Sequence, residues 1–159
     1  MRMMEYDRPR ATAYAARWAF ERNPNYMDFS LLGGDCTSFA SQCLYAGSGV
    51  MNYTPDTGWY YLSPGRYAPA WSGVKFFNRF LTENRGVGPF GKIVAPEALL
   101  PGDFLQLGNE LRYYHTLIVL SNEDGDIRIA AHTIDSYDRS VSTYQFTRMR
   151  PIHILGVRK

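Results

Sequence analysis

The hydrophobic period changes once along the chain, and that change limits the architectures open to it. Up to about residue 86 the apolar side chains recur at helical spacing; beyond it they alternate, or run in short blocks bounded by Gly, Pro and Asn. Asp7 can cap a first helix with Pro9 in its opening turn, and Ala11, Tyr14, Ala15, Trp18 and Ala19 share one face until Asn23-Pro24 stops it. A Gly-Gly-Asp turn at 33–35 leads to a second helix with Cys36, Phe39, Ala40, Cys43 and Leu44 on one side and Gly47 as its terminator. A third helix starts at Ser72 and carries Val74, Phe77, Phe80 and Leu81 to near Gly86. Strands are expected over 103–107, 113–120 and 126–134, with Asp124-Gly125 as a hairpin turn between the last two, and over 152–157 as an edge or closing strand. Helices first and antiparallel strands afterwards is an α+β order.

Nothing divides the chain, so residues 1–159 are expected to form one domain. The net charge of +2 comes from scattered Lys and Arg, which exclude a basic nucleic-acid footprint. No apolar stretch approaches the roughly 20 residues needed to cross a bilayer, and the amino terminus has no apolar signal-peptide core. No membrane insertion is expected, and a monomer is the expected state. The 12 Tyr, 9 Phe and 3 Trp exceed the needs of a small core. Those of the Gly/Pro-rich loop over 48–70, with Trp71, are therefore candidates to line a substrate surface: Trp59, Tyr60, Tyr61 and Trp71.

Cys36 and Cys43 stand seven apart on one helix, about 10 Å by helical rise, too far for a disulfide. Both are expected as free thiols. A thiol in the first turn of a helix feels the positive end of the macrodipole, which favours thiolate, and the same N–H groups can receive an oxyanion. Asp35 is expected to cap that helix, although its charge opposes a thiolate beside it. Against this stands the ordinary fate of cysteine, burial in a core. His115 sits in an alternating strand where an apolar residue or Thr would be usual. A turn centred between Asp124 and Gly125 pairs His115 with Ile134 and Leu117 with His132, so His132 lies diagonally beside His115 on one face and can set its tautomer. A one-residue change in the turn puts Asp135 opposite His115 instead.

Gly34-Asp35-Cys36-Thr37-Ser38-Phe39-Ala40-Ser41-Gln42 resembles the Asp-Cys-Ser/Thr signature of NlpC-type and CHAP-type cell-wall peptidases, and Pro101-Gly102-Asp103 followed by His115 resembles their second block. With Tyr6-Asp7-Arg8, Trp18, Asn23-Pro24, Trp59-Tyr60-Tyr61 and Ala131-His132-Thr133, the chain from about Tyr6 to Ile154 is similar to the putative amidase domain family of bacteria. The resemblance implies a papain-like fold, with Cys36 as nucleophile, His115 as base and His132 as orienting residue. It implies no cofactor, and amide bonds of peptides or of peptidoglycan stem peptides as substrate. Papain has a glutamine oxyanion donor six residues before its cysteine, where this chain has Ser30; backbone N–H of Cys36, or Tyr26, is the expected substitute.

Three other readings compete. Cys36, His115, His132 and His153 suffice in number for zinc, but their spacings match no zinc pattern, so no metal is expected. A non-catalytic wall-binding or toxin-like module could keep the scaffold, and an acyltransferase would share the thioester chemistry. A wall substrate requires export, for which the chain carries no signal.

Overall fold

In the computed structural model, which describes residues 1–159, the change of period becomes a change of layer: helices cover one face of an antiparallel sheet in an α+β arrangement. The order is β1 (Met3–Met4), α1 (Arg8–Trp18), α2 (Cys36–Ser48), β2 (Tyr61–Ser63), β3 (Arg66–Tyr67), α3 (Pro69–Ser72) and α4 (Val74–Glu83), followed by β4 (Gly88–Ile93), β5 (Phe104–Gly108), β6 (Tyr113–Glu123), β7 (Asp126–Ala131), β8 (Ser136–Ser140) and β9 (Arg148–Arg158).

Local chemistry explains the helix ends. The Asp7 carboxylate accepts from Arg10 N–H at 3.0 Å and starts α1, with Pro9 in the first turn where its missing donor costs nothing. The terminator of α2 is Gly49, in the left-handed region at φ 66°, and not Gly47. Gly47 lies inside the helix because α1 crosses there; a Cβ would meet Tyr6 Cε1 at 2.5 Å and the Asp7 carbonyl at 2.8 Å. The third helix, expected from Ser72, starts at Val74 as α4 after Gly73, and the short α3 precedes it.

The large sheet runs β1-β9-β5-β6-β7-β8, with β4 on the other side of β9. Thus β9 is a central strand, paired on both sides, and not the expected edge or closing strand. Its partner β4 escapes sequence reading because Gly88, Pro89 and Gly91 mask it; Pro89 is tolerated on an edge strand. The expected strand over 126–134 stops at Ala131, and a four-residue turn leads into β8. Alternation along β5 to β7 sends Phe104, Ile118 and Ala130 to the helical layer, and Leu105, Leu107, Leu117, Val119, Ile127 and Ile129 to a second core on the far face.

Buried Asp103 ties the N-terminus to the sheet. Its Oδ1 accepts from Arg8 Nη1 at 2.8 Å and from Ile154 N–H at 2.9 Å, and its Oδ2 accepts from Leu100 N–H and His153 Nδ1–H, both at 2.8 Å. Tyr6 donates to the Gly102 carbonyl at 2.8 Å. Tyr6-Asp7-Arg8 and Pro101-Gly102-Asp103 are therefore two halves of one structural junction.

Candidate active site

Two glycines set up the approach to Cys36. Gly33 and Gly34 hold φ of 94° and 108°, which L side chains rarely adopt, and they turn the chain so that Asp35 enters the interior and Cys36 opens α2. Asp35 does not cap the helix. Its Oδ1 accepts from Phe29 N–H at 2.9 Å, its Oδ2 accepts from His132 Nδ1–H at 2.6 Å, and Arg22 Nε lies 3.6 Å from Oδ2. No side chain caps α2, so its first-turn N–H groups stay available to a developing oxyanion.

Cys36 is 7 % exposed, and its sulfur has Thr37 Oγ1 at 3.8 Å; the backbone N–H groups of Thr116 and Thr37 act on it in the same sense. Those donors favour thiolate, but desolvation outweighs them and the Asp35 charge adds to it, so the pKa is pushed above the ordinary thiol range. The expected thiolate is thus corrected to a resting thiol: removal from water costs the anion more than the N–H and O–H groups around it return.

His115 projects from the opposite sheet face. It pairs with Leu107, sharing a side with Leu117 and Val119, whereas Thr116 turns toward α2 and places Oγ1 2.9 Å from Thr37 Oγ1. The imidazole packs edge-on against Tyr144, ring centroids 5.4 Å apart, and makes no hydrogen bond to Cys36. Burial, with Arg139 adding, lowers its pKa to about 4, leaving it neutral near pH 7.

His132 does not orient His115. Residue Leu120 is extra in β6, so that Ser121 faces Arg128 while Val119 faces Ile129; this bulge moves the register by one residue and turns His132 onto the helical face. There it is 1 % exposed, stacks on Phe39 at 3.9 Å, and holds Nδ1 2.6 Å from Asp35 Oδ2 and Nε2 2.8 Å from the Trp18 carbonyl. Both nitrogens are engaged by these acceptors and not by the Cys36 sulfur. Asp135 does not face His115 either; Arg22 grips it with Nη1 at 2.9 Å and Nη2 at 3.0 Å.

The aromatic candidates divide. Trp59 and Trp71 are wholly buried, Trp59 donating to Ser41 Oγ at 2.9 Å, and so cannot line a surface. Tyr61 is 8 % exposed and its hydroxyl accepts from Met27 N–H. Tyr26 stacks on Trp71 at 5.6 Å and packs edge-on to Tyr61. Tyr60 alone reaches a cleft, of about 610 Å³, shared with Tyr53, Arg66 and Tyr67. A second cleft of about 640 Å³ between α4 and the 52–57 loop is lined by Asp56, Arg79, Glu83 and Arg85; Cys36 borders neither.

Sequence reading missed the polar layer behind Cys36: Thr116, Gln106 and Arg150. Buried Gln106 Nε2 donates to Thr116 Oγ1 at 3.1 Å and to the Val74 carbonyl at 2.9 Å. A glutamine inside the apolar run Phe104-Leu105-Gln106-Leu107 was the available signal. Cys43 is a core residue without a polar partner, wholly buried in the helical layer.

A family model described as a putative amidase domain matches residues 5–155. The chain is also 30% identical, over 155 residues, to the uncharacterized protein YhbB of Bacillus subtilis (strain 168); the match covers 94% of this chain and 49% of that protein. The chain therefore spans about half the length of the curated relative it matches. No solved structure matches.

Proposed function

Because the chain belongs to the putative amidase domain family, we propose that it is an amidase acting through Cys36, with a papain-like arrangement of helix-borne thiol and strand-borne imidazole. One observation carries this reading: the Cys36 sulfur rests at an uncapped helix start beside Thr37, whose hydroxyl lies 2.9 Å from that of Thr116, one residue from the only histidine with no hydrogen-bonded partner, His115. The Asp35–His132 pair holds the nucleophile's own backbone, which makes His132 a positioning residue for Cys36.

The catalytic step requires His115 to turn over. Tyr114 is the extra residue of a bulge in β6, since Leu107 pairs with His115 while Gly108 pairs with Tyr113. Moving that bulge by one residue makes His115 the unpaired position, and bulges re-aim side chains in this way beside active sites. His115 then accepts the thiol proton while sulfur bonds to the amide carbon. The C–N bond breaks as the imidazolium protonates the leaving amine, and water, deprotonated by His115, cleaves the thioester to acid and thiol. The substrate class proposed is the peptide amide, peptidoglycan stem peptides included.

The outward face of His115 favours one other reading, a binding module that retains the scaffold without turnover. Wild type, Cys36→Ala and His115→Ala incubated with muropeptides and simple peptide amides separate the two by mass analysis of released amines. Amidase action predicts a loss of at least about a thousand-fold in either variant, with a wild-type acyl adduct at Cys36. Equal product from wild type and Cys36→Ala would sink the cysteine mechanism, and no product from any of the three would leave the binding module.

A further inference from the structure

Arg150 is a half-buried cation without an acid. It pairs across the sheet with Gln106, and its Nε, at 2.9 Å, and Nη2 both donate to Gln106 Oε1. Its Nη1 has no protein partner, and no carboxylate comes within ion-pair distance. The guanidinium lies 4.0 Å from the centroid of Tyr113, and a second guanidinium, of exposed Arg148, lies 4.8 Å from the same ring, its Nε donating to the Asn109 carbonyl. Two like charges share one aromatic ring with nothing to neutralise them. Burial and the Arg148 charge both weaken Arg150's hold on its proton, as an approaching anion would not.

The position of this cation matters more than its charge. Hydrogen bonds run from Arg150 through Gln106 to Thr116 Oγ1 and on to Thr37 Oγ1, beside the sulfur of Cys36. The set occupies the helical face of the sheet, with Gln106 pairing with Thr116 on one side and with Arg150 on the other. Gln106 fixes the guanidinium through its carbonyl while leaving Nη1 free, so the donor is held in place before any ligand arrives.

We propose that Arg150 is the recognition group for a carboxylate on the substrate, so that Cys36 acts on amides that carry an acidic group. This rests on the reading of Cys36 as nucleophile, but the binding half can be tested without turnover. Full-length Cys36→Ala protein is titrated by calorimetry with N-acetyl-alanyl-glutamate α-amide, whose only carboxylate is the side chain, and with its neutral partner N-acetyl-alanyl-glutamine α-amide, matched in shape. The acid is expected to bind about ten-fold more tightly. Arg150→Gln abolishes the preference, and Arg150→Lys, which keeps the charge, retains part of it. Equal affinity for the two dipeptides overturns the proposal. So does a preference that survives in Arg150→Gln, or an acid dipeptide with no saturable binding at about 10 mM. Wild-type turnover is followed separately: acid-selective binding without a Cys36 adduct leaves the anion site standing and removes the cysteine reaction from it.

Discussion

Two buried aspartates follow glycines in this chain, Asp35 after Gly34 and Asp103 after Gly102, and they are built almost alike. Asp35 is 1 % exposed and Asp103 0 %. Each accepts from a histidine Nδ1, His132 at 2.6 Å and His153 at 2.8 Å; each accepts backbone N–H, and each has an arginine beside it, Arg22 or Arg8. The difference lies in what the chain does next. Asp103 is followed by a core strand, and all its bonds join the terminus, the 100–103 turn and β9. Asp35 is followed by Cys36, and its arginine is shared with Asp28 and Asp135, so that the loops around the helix start are cross-linked together. Closely similar electrostatics staple a fold in one place and hold a candidate nucleophile in the other.

Three measurements break or sharpen that comparison. Replacing Asp103 by Ala removes the buried carboxylate shared by Arg8, His153 and two backbone N–H groups, and should cost about 3–5 kcal/mol, a fall of about 10 °C in Tm, with amidase activity per folded molecule unchanged. Activity lost from the folded fraction would erase the distinction between the two sites. Asp35→Asn keeps the shape but sets an amide N–H₂ or an unpaired lone pair against the wrong neighbour. It should cost about 2 kcal/mol, and unlike Asp103→Ala should lower kcat on a peptide amide by about ten- to a hundred-fold through displacement of Cys36.

The smallest effect concerns His115, which has Arg139 where the other two histidines have carboxylates. With a folded pKa near 4 against an unfolded value near 6.5, the unfolded chain binds the extra proton between those limits. Stability should therefore rise with pH from about 4 to about 6.5 and level off above, by about 1–2 kcal/mol in all. Denaturant melts of wild type and His115→Gln across that window check it: a slope equal in both proteins would remove the assignment.

The hairpin shows where sequence reading stops. Asp124-Gly125 is the turn, with Glu123 facing Asp126 as expected. Three pairs further on, the extra residue Leu120 shifts the register, and every residue beyond it changes partner. Nothing in Val119-Leu120-Ser121 marks a bulge, since it arises from fitting a twisted strand against α2 and β7. The aromatic loop fails for a different reason. Its composition correctly indicated an unusual segment, but whether a Trp faces water or core depends on which helices close over it, and Trp59 and Trp71 are sealed by α2, α3 and α4.

Local signals alone determined the α+β order, the caps of α1, the opening of α2 at Cys36 and the absence of a disulfide, because each depends on residues within a turn or two of one another. Only the tertiary structure decided that His132 serves Asp35, that His115 looks away from the sulfur, and that Cys36 rests as a thiol. Those outcomes depend on a one-residue register and on burial, and both are set by elements far apart in the chain.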